Sequence, residues 1–159
     1  SLLGNAGREL VRVTTKTLEA DSASIWLMSS DRTRLIVSHV FPANEDLMNR
    51  DQPLDEGLVS LVLKSEQPIC ENQVYEHLDH SKRTDQSLGV VTCSMIAVPF
   101  YAGGVLRGVV SCVRMKDDPE APDPPAFTSA DLARMSRLAK ALEQMINFRF
   151  LSGILGLDL

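Results

Sequence analysis

Positive charge is what this chain lacks most clearly. Sixteen Lys and Arg stand against 21 Asp and Glu, for a net charge of -5. A surface built to neutralise phosphates needs clustered cations, so nucleic acid is excluded as the expected partner, and an anionic membrane surface is disfavoured for the same reason. Cysteine is scarce and odd in number. Cys70, Cys93 and Cys112 cannot make the paired framework of a small secreted domain. No basic segment followed by an apolar run opens the sequence, so the expectation is a cytoplasmic protein without a signal peptide. An uninterrupted membrane span is missing too. The longest apolar stretch, MIAVPFYAGGVLRGVVSCV, is broken by Pro99, Gly103-Gly104 and Arg107 and reads as a hairpin. There is no internal repeat, no nucleophile–base pair and no complete metal set. His77 and His80 lie three apart but have no third ligand nearby, so two solvated loop histidines are the expectation.

What is present is an ordinary globular composition. Hydrophobic residues make up 44% and charged residues 23% of 159, enough for one domain with a full core. Ala6, Leu10, Val13, Thr14 and Leu18 recur at helical spacing, predicting a helix from about Leu3 to Ala20. Strands are predicted at Ser24–Met28 and Leu35–Phe41, joined by the turn at 29–33. Pro42 to Pro53 reads as loop. A short helix starts at Gly57, with Leu58, Leu61 and Val62 on one face, and Pro68 then begins a strand over Ile69–Glu71. Residues 73–90 are polar and aperiodic, an excursion of the length that often serves function. Strands at Thr92–Tyr101 and Val105–Met115 flank Ala102-Gly103-Gly104. The prolines of 117–126 enforce a surface loop. Thr128 and Asp131 then form a variant capping box before a long helix with a wide apolar stripe. The order is α β β, loop, α β, loop, β β α.

Four segments in this order resemble the GAF family of small-molecule sensor domains: ADSASIWLMSSD, PLDEGLVSLVLKSEQPICEN, LGVVTCSMIAVPFYAGGVLRGVV and the Phe-Thr-x-x-Asp start at Phe127. The resemblance spans roughly residues 5–148. It implies an α/β (α+β) fold with a central antiparallel sheet. The N- and C-terminal helices pack on one face, and the short helix and long loop enclose a pocket on the other. The Gly57 helix would then wall a ligand chamber and move as a lid. Alternatively, Gly57 is only a tight-turn residue and the helix covers ordinary core.

Aligned with cyclic-nucleotide-binding members, the chain places Ser24, Phe41, Leu58, Val59, Asp85, Leu88 and Thr92 at positions that line the pocket. Ser24, Asp85 and Thr92 would supply donors and acceptors, and Phe41 would stack on a base. That branch's Asn-Lys…Phe…Asp-Glu signature is broken, since Arg114-Met115 and Leu132 stand at three of its positions. Bilin attachment needs a Cys-His pair that this sequence does not have. The methionine sulfoxide reductase branch needs lid and loop cysteines, and residues 71–92 contain none. His39 is expected to be packed and hydrogen-bonded. Cys93 and Cys112, counted outward from the Gly turn, fall opposite or nearly opposite each other. This raises a cross-strand disulfide against the plainer reading of two buried thiols. Met135, Leu138, Leu142 and Met145 have coiled-coil spacing.

The resulting expectation is a single domain over 1–159, with 149–159 starting a linker. It is a non-enzymatic sensor that binds an unidentified small molecule with no cofactor assigned. It relays occupancy through terminal helices of a homodimer to a covalently linked output domain. A ligand-free dimerisation module is the first alternative, and a cyclic-nucleotide-binding GAF domain the second.

Overall fold

The computed structural model describes residues 2–76, 85 and 89–157. The expected histidine pair, His77 and His80, and the candidate Leu88 lie outside the described residues. Helix α1 (Gly4–Thr17) leads into strands β1 (Ser22–Met28), β2 (Arg34–Phe41) and β3 (Asp51–Pro53). Helix α2 (Gly57–Ser65), strand β4 (Ile69–Glu71) and a 3-10 turn (Val74–Glu76) follow. Strands β5 (Val91–Ala102) and β6 (Val105–Lys116) and helix α3 (Ser129–Ile154) complete the order. The described strands form one antiparallel sheet in the order β3-β2-β1-β6-β5-β4. No helix among the described residues is long and apolar enough to cross a membrane.

The sheet separates two apolar layers. On one face, Ile25, Ile96, Val98, Phe100, Val110 and Cys112 meet the buried stripes of α1 and α3. On the other, Leu35, Ala97 and Val109 pack under Val59, Val62 and Leu63 of α2. Alternation along central strands produces this division, because successive side chains point to opposite faces. The inward face of α1 is Leu3, Gly7, Val11, Thr14 and Leu18. Val13, expected inward, is exposed. On α2, Leu58 and Val62 are buried as expected, whereas Leu61 points outward and Val59 takes its place.

Strand β3 was not visible in the Pro42–Pro53 loop. Three residues carry no period, and they become a strand only because β2 offers a free edge. The start of α3 has the expected capping box. Thr128 N–H donates to the Asp131 carboxylate at 2.8 Å, and Asp131 N–H donates to Thr128 Oγ1 at 3.2 Å. Helix α3 continues to Ile154, through the first half of the segment expected to be linker. Its expected coiled-coil seam is not available to a partner, since Met135, Leu138 and Leu142 are buried in the domain's own core. The exposed apolar residues lie farther along, at Phe148, Phe150, Leu151 and Ile154.

Arg114 holds these layers together at one end. Its guanidinium is buried and donates to three carbonyl oxygens: Leu18 at 2.5 Å, Pro125 at 2.7 Å and Glu19 at 3.3 Å. It also lies 4.2 Å from the centre of the Phe127 ring. Two of the carbonyls end α1, where the helix dipole is negative and a cation is favoured. Asn72 joins β4 to the start of α3 in a similar way. Its side chain accepts from Phe127 N–H at 2.9 Å and donates to Phe127 O at 3.1 Å.

Candidate ligand-binding cavity

Beneath α2, the sheet face that carries small residues leaves a cavity of about 110 Å³. Its floor is the middle of the sheet. Ser24 on β1 pairs directly with Ser111 on β6, and the two hydroxyl oxygens lie 3.0 Å apart. The Trp26 indole N–H donates to Ser24 Oγ at 3.1 Å. Serines where central strands usually carry β-branched side chains are what create the space. Met95, Val113 and Met115 fill the flanks of the floor, and Val37, Val40 and Leu47 close the β2 side.

One wall is α2, reached through Gly57, Leu58 and Val59. Gly57 has φ +82°, a left-handed conformation that glycine adopts without steric cost and that lets the helix begin at the cavity. Gln52 fixes this entry by donating to Glu56 O at 2.6 Å and to Ser60 Oγ at 3.3 Å. At the far end, Tyr101 O–H donates to the Glu66 carboxylate at 2.6 Å. Both ends are tied and Val62 is fully buried. These contacts hold both ends of α2 against the sheet.

The opposite wall includes Asp85 and Thr92. The Asp85 carboxylate accepts from Thr92 N–H and from Thr92 Oγ1, both at 2.7 Å. These two bonds tie the Asp85 segment to the start of β5.

Of the residues singled out from sequence, Ser24, Leu58, Val59, Asp85 and Thr92 therefore come together around one cavity. Phe41 does not join them. It pairs with Ala23 and packs with the core under α1 and α3, on the opposite sheet face. It is one residue out of phase with Val40, which does face the cavity. Sequence reasoning missed Trp26, Gln52, Met95 and Ser111. The alternation of ASIWLM did carry a signal for Trp26, because it puts Trp26 on the same face as Ser24.

A larger groove of about 320 Å³ lies between β5 and α3. Its charged rim is already engaged, through the Tyr101–Glu66 bond and the Lys140–Glu143 ion pair at 2.9 Å. The smaller cavity, with convergent hydroxyls inside an apolar shell, has the character of a small-molecule site.

The thiols stand apart from this site. All three cysteines are free. Cys112 pairs with Ile96, while Cys93 sits in the bulge between Thr92 and Ser94. An offset of three residues is about 10 Å along a strand, beyond the reach of a disulfide. The register is incompatible with a cross-strand bridge and leaves the plainer reading, two buried thiols. Burial pushes the Cys112 thiol up to about 12. His39 is packed, but its Nε2 is buried without a hydrogen-bond partner among the described residues. Burial, and then the charge of Arg8, lower its pKa.

A family model described as GAF domain matches residues 3–147. No curated protein matches the chain. Among solved structures, the GAF domain of an Acinetobacter phosphoenolpyruvate-protein phosphotransferase is 17% identical with TM-score 0.67, covering 94% of this chain and 98% of its own. The GAF domain of a two-component sensor histidine kinase from Bacillus halodurans is 20% identical with TM-score 0.64, covering 92% and 97%. Free methionine-R-sulfoxide reductase from Neisseria meningitidis, in complex with its substrate, is 16% identical with TM-score 0.70, covering 94% and 81%. At these identities the likeness is one of fold.

Proposed function

The chain belongs to the GAF domain family, and from that premise we propose that it is a regulatory sensor module whose cavity beneath α2 binds a small molecule. The observation that carries this reading is the cavity itself. Five candidates from three separate stretches of sequence meet there around a polar floor. The Bacillus halodurans domain belongs to a sensor kinase and the Acinetobacter domain to a phosphotransferase. By analogy, this domain serves a linked output domain, with 149–159 leading toward it.

The relay follows from the sheet. Ser24 and Ser111 face the cavity, while their neighbours Ile25, Val110 and Cys112 touch the α1–α3 layer. A shift in the central strands on binding is thereby felt on the helix face. The helices pass it on through a homodimer formed at Phe148, Leu151 and Leu155. Such coupling needs a ligand that favours one helix arrangement over another. The module does no catalysis of its own. The cavity of about 110 Å³ is below the roughly 300–1,000 Å³ of drug-sized sites, which favours a ligand smaller than a cyclic nucleotide.

That modest volume favours a second reading, in which the domain only dimerises. Native mass spectrometry on gently purified protein, followed by denaturing mass spectrometry, separates the two. A dimer whose extra mass is lost on denaturation supports the sensor. A dimer without extra mass, unaltered by any small molecule in a subsequent panel, supports the scaffold. A bare monomer removes the dimer relay.

A further inference from the structure

His39 stands on the helix side of the sheet because strand β2 is bulged. Val37 lies across from Trp26 and His39 from Ile25, so two steps on β2 match one on β1. Ser38 is the extra residue, and it turns His39 to the face where Ile25 meets the helices. The imidazole is half-buried, and its Nε2 is enclosed with no hydrogen-bond partner among the described residues. Neutral imidazole bears this as one unused acceptor. Imidazolium does not, because both ring nitrogens then carry hydrogens and the enclosed one has nowhere to donate. The neighbouring charges do not offset it. Arg8 of α1 opposes a second positive charge there. Glu9 is held by Arg12 through both carboxylate oxygens. Arg149 of α3 reaches the start of α1 and donates to Leu2 O at 2.9 Å. Strand β1 presents Ile25, and the buried α3 stripe from Met135 to Ile146 is apolar.

Helix α1, which covers this imidazole, is held unequally along its length. Its C-terminal end is bolted. Arg114 takes the carbonyls of Leu18 and Glu19, and Asp21 N–H donates to Val113 O at 2.9 Å. The N-terminal half rests on the packing of Leu3, Gly7 and Val11 and on the single bond from Arg149 to Leu2. Its N-cap, Leu3, supplies no side-chain cap. Gly7 lies against α3, so closely that a Cβ there would stand 3.6 Å from Leu142 Cδ2. Arg8 belongs to this weaker half.

We infer that His39, beside Arg8, is an acid-sensitive catch: its protonation releases residues 4–11 of α1 from the sheet while the Arg114 end stays attached, and uncovers Leu142 on α3. The direction follows from linkage. In the closed form, burial and then Arg8 lower the His39 pKa from 6.5. In the released form the imidazole regains its ordinary value and binds the proton more tightly. The catch is therefore fully closed above about pH 6.5 and opens as pH falls through the lowered value. Acidity becomes an input on the helix face, independent of any ligand in the cavity on the other.

Hydrogen exchange read by mass spectrometry tests it, at low salt and from about pH 7.5 to 5.5, with exchange times scaled for the intrinsic effect of pH. Residues 4–11 are compared with residues 135–146 of α3. Opening of 4–11 is expected to rise at least about fivefold at the acid end, as for a buried donor left without an acceptor, while 135–146 stays level. His39→Gln is expected to abolish the rise. Arg8→Gln removes the charge that opposes protonation, so it is expected to move the midpoint of the rise to higher pH, which a merely structural role for Arg8 would not do. Should His39→Gln fail to fold, the wild-type comparison of the two segments and the Arg8→Gln midpoint still decide. An equal rise in both segments overturns the catch, because acid then loosens the whole domain. No rise, a rise that persists in His39→Gln, or an unmoved midpoint in Arg8→Gln overturns it as well.

Discussion

Gly108 is the residue whose replacement the structure judges most sharply. It lies in β6 between Leu27 of β1 and Phe100 of β5, in the middle of the sheet. A Cβ built there would stand 1.8 Å from the Trp26 carbonyl oxygen, 2.8 Å from the Trp26 carbonyl carbon and 3.0 Å from Leu27 Cα. All three are backbone atoms, so no rotamer change relieves the clash. Restoring even a tight 3.0 Å contact requires β1 and β6 to separate locally by about 1.2 Å. Backbone hydrogen bonds do not survive that stretch. Overpacking of about 1–3 kcal/mol, plus two ladder bonds at about 1 kcal/mol each, puts Gly108→Ala near 4 kcal/mol. That is a large share of the roughly 5–15 kcal/mol that holds a domain together. For a chain of this size it lowers Tm by roughly 8–16 °C, and in urea it moves the midpoint by about 2 M. Gly103→Ala is the internal control. Gly103 also has no side chain, and its Cβ would meet nothing within 4 Å, but its φ is +60°. Only backbone strain of about 1 kcal/mol is expected there. Urea unfolding of the two variants side by side checks the argument. A Gly108→Ala midpoint no lower than that of Gly103→Ala would refute it, because it would mean the central strands can part at little cost.

Three further outcomes are expected. His39 has a folded pKa below its ordinary 6.5, so the stability it contributes is complete above about pH 6.5 and declines as pH falls through that value; the wild type should lose stability between about pH 7 and 5 more steeply than His39→Gln, and parallel curves would contradict the assignment. Cys112 is buried with its pKa pushed up to about 12, so a thiol reagent at about pH 8 should reach it only after denaturation; mild oxidation should leave three free thiols, and a Cys93–Cys112 bridge in peptide maps would contradict the register. Thr128→Ala removes a cap that Asp131 N–H uses, with an expected loss of about 1 kcal/mol in equilibrium unfolding; no measurable loss would place the stability of α3 wholly in its packing.

The sequence by itself determined the elements whose signal is local. The capping box at Thr128 and Asp131 is written in four consecutive residues. The Gly103-Gly104 turn fixes a hairpin whose arms run as expected, to within a residue or two. Alternation along SASIWLM marks β1 and even its two faces. Order and motif spacing were enough to indicate the family. Other features depended on partners distant in the chain. Asp51–Pro53 is a strand because β2 has an edge to pair with, and that pairing brings Gln52 to the cavity. Bulges at Ile25/Trp26 and at Thr92/Ser94 shift register by a residue, and counting along a strand cannot reveal them. They help decide which side chains stand across from one another, and a further shift at Phe100/Tyr101 sets Cys112 opposite Ile96, three residues from Cys93. A helical stripe such as Met135, Leu138 and Leu142 has the same spacing whether it meets a partner or its own sheet. Tertiary packing assigned it to the core and left Phe148, Phe150, Leu151 and Ile154 outside. Arg114 looked like a broken motif position, and only the fold showed the three carbonyls it joins. Local chemistry is legible in a sequence because its partners are adjacent; the Ser24–Ser111 floor of the cavity was not, because it joins residues 24 and 111, which only the sheet brings together.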